Sequence, residues 1–426
     1  MVAYLLVTTL TTIGAACLAG YSYLQVKSSG PSVSDAQKIQ KIFTNAGWAS
    51  KRGETIRLHR RRKIKGGTEY VYQLPLGFDR SEIEKNIHIL EDGLNVRSKI
   101  DFTLSDLKDL KFDKTIIKQI QKLVNGKRVR KEVEIEFDGM LKVKIFTKPF
   151  PTEFDWNDSL ITKGWKIPVG TNRQKIILHD FDSSYFMIVA GAAGFGKSQF
   201  IKMAITTLVL QQSENVKFHL IDLKGGLAFS RFKDMKQVVN FGKDRKDALQ
   251  ILKNVQKHMN ETHDYLEREG FEDVKEAGIK ERHFVIIDEA ADLTDECQDI
   301  VEDIARRGRA CGLRMIYATQ YPTNETLRSQ VRQNALARVC FKLKTNVASR
   351  AVLDESGAEL LPEIPGRAIY QTVSNIIVQT PYMSNKQIKE LIIPFMKGDK
   401  NEQKTSSETT KNREYSFELE ETELHD

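Results

Sequence analysis

The chain opens on an uncharged run. No charged side chain occurs from Val2 to Val26. A helix over Val2 to Leu24 would be ~35 Å long at ~1.5 Å per residue, against a hydrocarbon core of ~30 Å. Residues 1–26 are therefore expected to form one transmembrane helix. A cleaved leader would want a basic segment before the apolar run, and none is there. Residues 27–50 read as a linker, Ser28-Ser29-Gly30-Pro31, and then an amphipathic helix. Ser34 and Gln37 have capping-box spacing, and Ile39, Ile42, Phe43 and Ala46 follow on one face.

Further on, the periods alternate. Thr68 to Leu76 reads as a strand. Ser81 to Asn95 reads as one helix with Ile83, Ile87, Leu90 and Leu94 inward. Val133 to Ile145 alternates around Asp138-Gly139, a short hairpin signal. Residues 51–150 are thus expected to form a small α+β domain. From Trp156 to about Phe395, apolar strands alternate with helical stretches, which predicts an α/β domain with a mostly parallel sheet over residues 151–397. Residues 398–426 are polar and rich in Glu, Lys, Ser and Thr, the composition of an acidic, disordered tail.

Charge sharpens this organisation. The net charge of +8 is uneven: from Asp399 to Asp426 the sequence has a net of −5, leaving +13 for the first 398 residues. A basic body implies a polyanion or an anionic membrane surface as partner. The densest run, Lys51 to Lys65, includes Arg60-Arg61-Arg62-Lys63 and alternates partly with Ile56, Leu58 and Ile64, as an exposed strand would. It suits contact with phosphates or lipid headgroups. Lysines beyond the apolar run place the C-terminal side in the cytoplasm. The expected location is the cell membrane, single-pass, with the large domain cytoplasmic. Cys17, Cys297, Cys311 and Cys340 form no CxxC pair, which argues against a disulfide scaffold or Cys-type zinc site.

The chemistry is carried by three strand ends. Gly191-Ala192-Ala193-Gly194-Phe195-Gly196-Lys197-Ser198 fits the phosphate loop GxxxxGK[ST]. It follows an apolar strand, Tyr185 to Ala190, and precedes a helical stretch expected to begin near Gln199. Glycines let backbone N–H groups converge on phosphate oxygens, and the helix N-terminus adds partial positive charge. Lys197 should reach the β/γ-phosphates of ATP, and Ser198 should bind Mg²⁺. The run Phe284 to Ile287 ends in Asp288-Glu289. Asp288 would hold Mg²⁺, and Glu289 would polarise the attacking water. A third strand, Arg314 to Ala318, ends in Thr319-Gln320, which places Gln320 as a sensor of the γ-phosphate or lytic water.

These blocks together resemble the FtsK/SpoIIIE family of membrane-anchored DNA translocases. Asp222-Leu223-Lys224 looks like its Asp-x-Lys block, Val285 to Leu293 like its Asp-Glu block, and Ile304 to Pro322 like its Arg/Ala-rich helix and Ala-Thr-Gln strand end. The resemblance runs from about Ile167 to Thr372. It implies a RecA-like P-loop NTPase motor, a homo-oligomer in the form of a hexameric ring, ATP between subunits, and DNA, duplex or single strand, as partner. It also implies an arginine reaching the neighbouring subunit's γ-phosphate. Arg309 matches that position; Arg306, Arg307, Arg338 and Arg350 are rivals. One expected span and one phosphate loop make the chain similar to the short pumps of Gram-positive conjugative elements. That similarity implies relaxase and conjugation-channel proteins as further partners. The alternative is a type VII-like protein-secretion ATPase, a class that usually carries several motor domains in tandem.

Overall fold

The computed structural model describes residues 34–50, 52–95, 130–323 and 325–397. The expected membrane helix and acidic tail lie outside these residues. Among the described residues, no helix is long and apolar enough to cross a membrane.

The small domain begins with α1 (Asp35–Asn45), whose capping box forms as its spacing implies, with Ser34 and Gln37 bonding each other's backbone N–H groups. β1 (Arg57–Ile64) and β2 (Gly67–Gln73) pair antiparallel. The stretch expected as one helix is two, α2 (Ser81–Lys85) and α3 (Ile87–Asn95). The break falls at Asn86, where φ is −112° and the side-chain amide donates to the Glu82 carbonyl at 2.8 Å. An Asn side chain offers the backbone this alternative to continuing a helix. β3 (Glu132–Asp138) and β4 (Met140–Phe146) form the expected hairpin, turning at Gly139 with φ 67°. The sheet order is β1-β2-β4-β3. Ile39, Phe43, Tyr70, Tyr72, Leu90 and Val143 share one core between sheet and helices.

The large domain is built on a ten-stranded sheet. In chain order its elements are β5 (Lys166–Thr171), β6 (Ile176–Asp180), β7 (Phe186–Ala190), α4 (Lys197–Gln212), β8 (Val216–Asp222), β9 (Val238–Gly242), α5 (Arg245–Glu269), β10 (Arg282–Asp288), α6 (Asp295–Arg307), β11 (Leu313–Thr319), α7 (Ser329–Asn334), β12 (Ala337–Phe341), α8 (Asn346–Leu353), β13 (Arg367–Gln371), β14 (Asn375–Gln379) and α9 (Asn385–Ile392). The sheet order is β6-β5-β14-β13-β12-β7-β11-β10-β8-β9. Strands β12, β7, β11, β10, β8 and β9 run parallel, and β13, β14, β5 and β6 extend the sheet antiparallel.

The central strands are buried on both faces, so they read as continuous apolar runs rather than alternating ones. Every residue of β7 is buried. Met187 and Val189 pack under α4, whereas Phe186, Ile188 and Ala190 face α5 and α6. The two cores fix the carboxyl ends of β7, β10 and β11 side by side.

The two domains meet at Arg173, in the turn between β5 and β6. Its guanidinium is held by Glu132 and Glu134 of β3 and stacks on Phe146 at 4.4 Å and Phe150 at 4.9 Å. Arg367 covers Phe150 at 4.0 Å and donates to the Pro151 carbonyl at 2.6 Å.

Candidate active site

The phosphate loop leaves β7 at Gly191, whose N–H donates to the Thr319 carbonyl at 3.3 Å; the next N–H, of Ala192, donates to Lys342 at 3.0 Å. A side chain at Gly191 would place its Cβ 2.6 Å from Phe341 Cβ, so the loop can lie against β12 only with glycine here. Gly196 takes φ 111°, a left-handed conformation, with the Gly366 backbone 3.1 Å from where a Cβ would sit. That turn starts α4 at Lys197 rather than near Gln199. Lys197 and Ser198 therefore stand in the first helical turn, where free N–H groups and the helix dipole favour an anion.

Lys197 is buried, and its ammonium forms an ion pair with Asp288 at the end of β10. Ser198 Oγ donates to the other oxygen of Asp288 at 3.3 Å. Adjacent oxygen ligands of octahedral Mg²⁺ lie about 2.9 Å apart, from bonds of roughly 2.0–2.1 Å. A hydroxyl and a carboxylate at this spacing fit that ion. Asp288 thus stands between two candidate roles, partner to Lys197 and metal ligand with Ser198.

Glu289 is 2 % exposed and has φ 62°, a left-handed conformation rare outside glycine. The strained turn points its carboxylate back across the strand ends. Oε1 accepts the Gln320 N–H at 2.9 Å and the Thr319 hydroxyl at 3.2 Å. Oε2 lies 2.9 Å from Lys224 Nζ and 4.0 Å from Lys197 Nζ. The carboxylate is thereby gripped on one oxygen and left facing cations on the other.

Lys224 reaches Glu289 because Asp222 shapes its loop. The Asp222 side chain is fully buried at the end of β8, beside Asp288 in the sheet register. It accepts the N–H groups of Lys224 at 3.1 Å and Ala228 at 2.7 Å. Lys224 and Thr319 were not singled out from the sequence as site residues. Their signal was their place in the Asp-x-Lys and Ala-Thr-Gln blocks. For Gln320, the group that touches the site is the backbone N–H; the side chain is half-buried.

Arg309 lies elsewhere. It is exposed in the turn between α6 and β11, at the amino end of the parallel strands. The phosphate loop is at their carboxyl end, about 23 Å away along a seven-residue strand at ~3.3 Å per residue. It is too far to reach the phosphate loop of the same chain. The rivals differ in their ties. Arg306 and Arg307 bind Asp303, and Arg338 binds Asp354. Among the described residues, Arg309 and Arg350 make no ion pair.

A cavity of about 680 Å³ opens beside the phosphate loop. Gly194, Gly196 and Gln199 form one wall; Phe154, Asp155, Pro365, Thr380 and Tyr382 form others. It comes from segments far apart in the chain, and nothing in the local sequence pattern announces it.

The model of the FtsK/SpoIIIE family matches residues 152–285. The DNA translocase FtsK of Chlorobaculum tepidum is 28% identical over 240 residues, 50% of this chain and 29% of that protein. FtsK of Lactococcus lactis subsp. cremoris is 24% identical over 369 residues, 75% of this chain and 48% of that protein. The DNA translocase SpoIIIE of Bacillus subtilis is 25% identical over 274 residues, 58% and 35% respectively. The chain therefore spans between about a quarter and a half of the length of the curated relatives it matches. Two solved structures share the fold. One is the pCW3 conjugation coupling protein TcpA, in monomer form with ATPγS (TM-score 0.54, 19% identity, 84% of this chain and 98% of that one). The other is EssC, ATPases 2 and 3, from Geobacillus thermodenitrificans (TM-score 0.51, 14% identity, 58% and 52%).

Proposed function

We propose, starting from a motor domain that belongs to the FtsK/SpoIIIE family of ATPases, that this chain hydrolyses ATP to drive DNA through a ring of its own copies at a membrane. One observation carries the reading: Lys197, Ser198, Asp288 and Glu289 converge at two strand ends, with Glu289 held by Thr319 and the Gln320 N–H.

Each group has a task in that reaction. The loop N–H groups and Lys197 bind the β/γ-phosphates, and Lys197 exchanges Asp288 for phosphate oxygens on binding. Ser198 and Asp288 would hold Mg²⁺, whose charge would offset the negative charge of the transferred phosphoryl group. Glu289 orients the attacking water and accepts its proton. Thr319 and the Gln320 N–H fix the carboxylate, and Lys224 restrains its second oxygen. The cavity beside Gly194 takes the nucleoside. Arg309, facing away from its own loop, acts on the neighbouring subunit's γ-phosphate in a head-to-tail, hexameric ring.

The finer reading is a conjugative pump, single-pass in the cell membrane through residues 1–26, with the motor on the cytoplasmic side and relaxase and channel proteins as partners. Its support is the sequence order of an expected span, a small domain and a motor, and a fold shared with a conjugation coupling protein. The test is ATP turnover by the full chain without nucleic acid, with single strands and with long duplex. Stimulation by duplex or single strands supports the reading and identifies the substrate. Turnover indifferent to both would transfer it to protein export, since EssC has the same fold.

A further inference from the structure

β1 is an edge strand with its side chains turned outward. Seven of its eight residues are exposed. Register with β2 places Arg60 and Arg62 opposite the buried Val71 and Glu69 on the face away from the helices, and Arg61 and Lys63 opposite Tyr70 and Thr68 on the helix side. Arg61 stacks on Tyr70 at 5.7 Å. Among the described residues, Arg57, Arg60, Arg61, Arg62 and Lys63 have no carboxylate partner within 4.0 Å. Even Glu69, in register with Arg62, lies buried without pairing to it. Four other cations of this domain, Lys131, Lys142, Lys144 and Arg80, each pair with a carboxylate. Five uncompensated cations along one strand edge want an anionic surface.

Two apolar side chains decide which surface. Leu58 is 43% exposed and Leu76 95% exposed. Leu58 belongs to β1, and Leu76 follows β2 beside Arg57. A phosphate backbone gives leucines nothing to bury against, whereas the boundary between headgroups and acyl chains does. The chain also brings the domain there. Eight residue steps separate Val26, where the uncharged run ends, from Ser34, where α1 is capped; they reach about 28 Å at most.

We infer that β1 is a docking strand for anionic lipid headgroups. Arg57, Arg60, Arg61, Arg62 and Lys63 contact the phosphates of the bilayer that anchors the chain, and Leu58 and Leu76 enter its interface. Each such cation near an anionic leaflet multiplies binding about fivefold, and salt screens the effect. The strand would hold the small domain flat on the membrane. Arg173 would transmit that placement to the motor.

The test uses the full chain in nanodiscs, with trypsin cleavage between Arg57 and Lys65 followed by mass spectrometry and no ATP present. The inference rests on residues 1–26 spanning the bilayer, which recovery of the chain with neutral nanodiscs checks separately. Replacing neutral phosphatidylcholine by a mixture with phosphatidylglycerol should slow cleavage at least fivefold at low salt. High salt should restore the neutral rate. The double variant Leu58→Ser, Leu76→Ser, at exposed positions, should lose most of the protection. Equal cleavage in both kinds of nanodisc would overturn the inference. So would protection that appears only when duplex DNA is added to neutral nanodiscs, which would assign the strand to nucleic acid.

Discussion

Asp182 holds two buried arginines, so neutralising its carboxylate should cost stability. It sits in the turn before β7 and accepts from Arg314 at 2.5 Å and Arg282 at 3.3 Å, with Lys275 at 3.5 Å. The Arg314 and Arg282 side chains are 1% and 4% exposed, so neither can turn to water. Burial depresses the Arg314 pKa, and its bond to Asp182 opposes that. Burial pushes the Asp182 carboxyl up, but the Arg314 hydrogen bond and the surrounding positive charges outweigh it and hold the group below its ordinary range.

Asp182→Asn keeps the volume and removes the charge. Removing one partner of a buried pair costs roughly 3–5 kcal/mol, and the carboxylate's own 23% exposure argues for about 3. In a domain of this size that lowers Tm by about 6–12 °C. Thermal melts and urea titration measure it. Arg314→Met in the same background removes the stranded charge, so the double variant should recover at least about 1.5 kcal/mol relative to additivity. The carboxylate contribution is fully present above about pH 4 and is lost as pH falls through the lowered native value. A Tm shift under 2 °C (roughly 1 kcal/mol or less), or strict additivity, would refute the reasoning. Arg314 also donates to the Arg309 carbonyl at 3.4 Å, so the variant should slow turnover further if Arg309 acts on the neighbouring subunit.

Glu289→Gln keeps an acceptor for Thr319 and the Gln320 N–H but cannot take a proton; turnover should fall about 10²–10⁴-fold with ATP affinity within a few-fold, checked by a fluorescent nucleotide and phosphate release. His179 and His219 are pushed down to about 3 and about 4, mainly by burial. They therefore resist protonation in the folded state. Stability is full above about pH 6.5 and lost as pH falls below it, by about 1.4 kcal/mol each at pH 5.5; chemical denaturation at pH 7.5 and 5.5 measures this, and His219→Asn should flatten the dependence. Arg173→Ala removes two carboxylate bonds and two ring contacts between the domains, so the calorimetric trace should separate into two transitions instead of one.

The parts of the site that chemistry requires to be contiguous were legible. A glycine-rich turn between an apolar strand and a helix, and Asp288-Glu289 ending a second strand, can be read without knowing which strands are neighbours. The α1 cap and the Asp138-Gly139 hairpin were legible for the same reason. What pairs across distance was not. Lys224 meets Glu289 only because β8 and β10 are adjacent, and Thr319 meets it only because β11 lies on the other side. Asp182 is an unremarked turn residue until β10 and β11 bring Arg282 and Arg314 to it. A mostly parallel sheet was legible, but which four strands run antiparallel was not, because β13, β14, β5 and β6 are short apolar segments like their parallel neighbours. The break at Asn86 was hidden because apolar periodicity continues straight across it.

The central claim is that ATP turnover moves DNA. The most direct measurement is displacement of a triplex-forming strand from duplex by the full chain with ATP, beside Lys197→Ala. The account predicts displacement that requires ATP and disappears in the variant, in step with loss of turnover. Active turnover that leaves the triplex intact, or displacement equal in the two proteins, would contradict it.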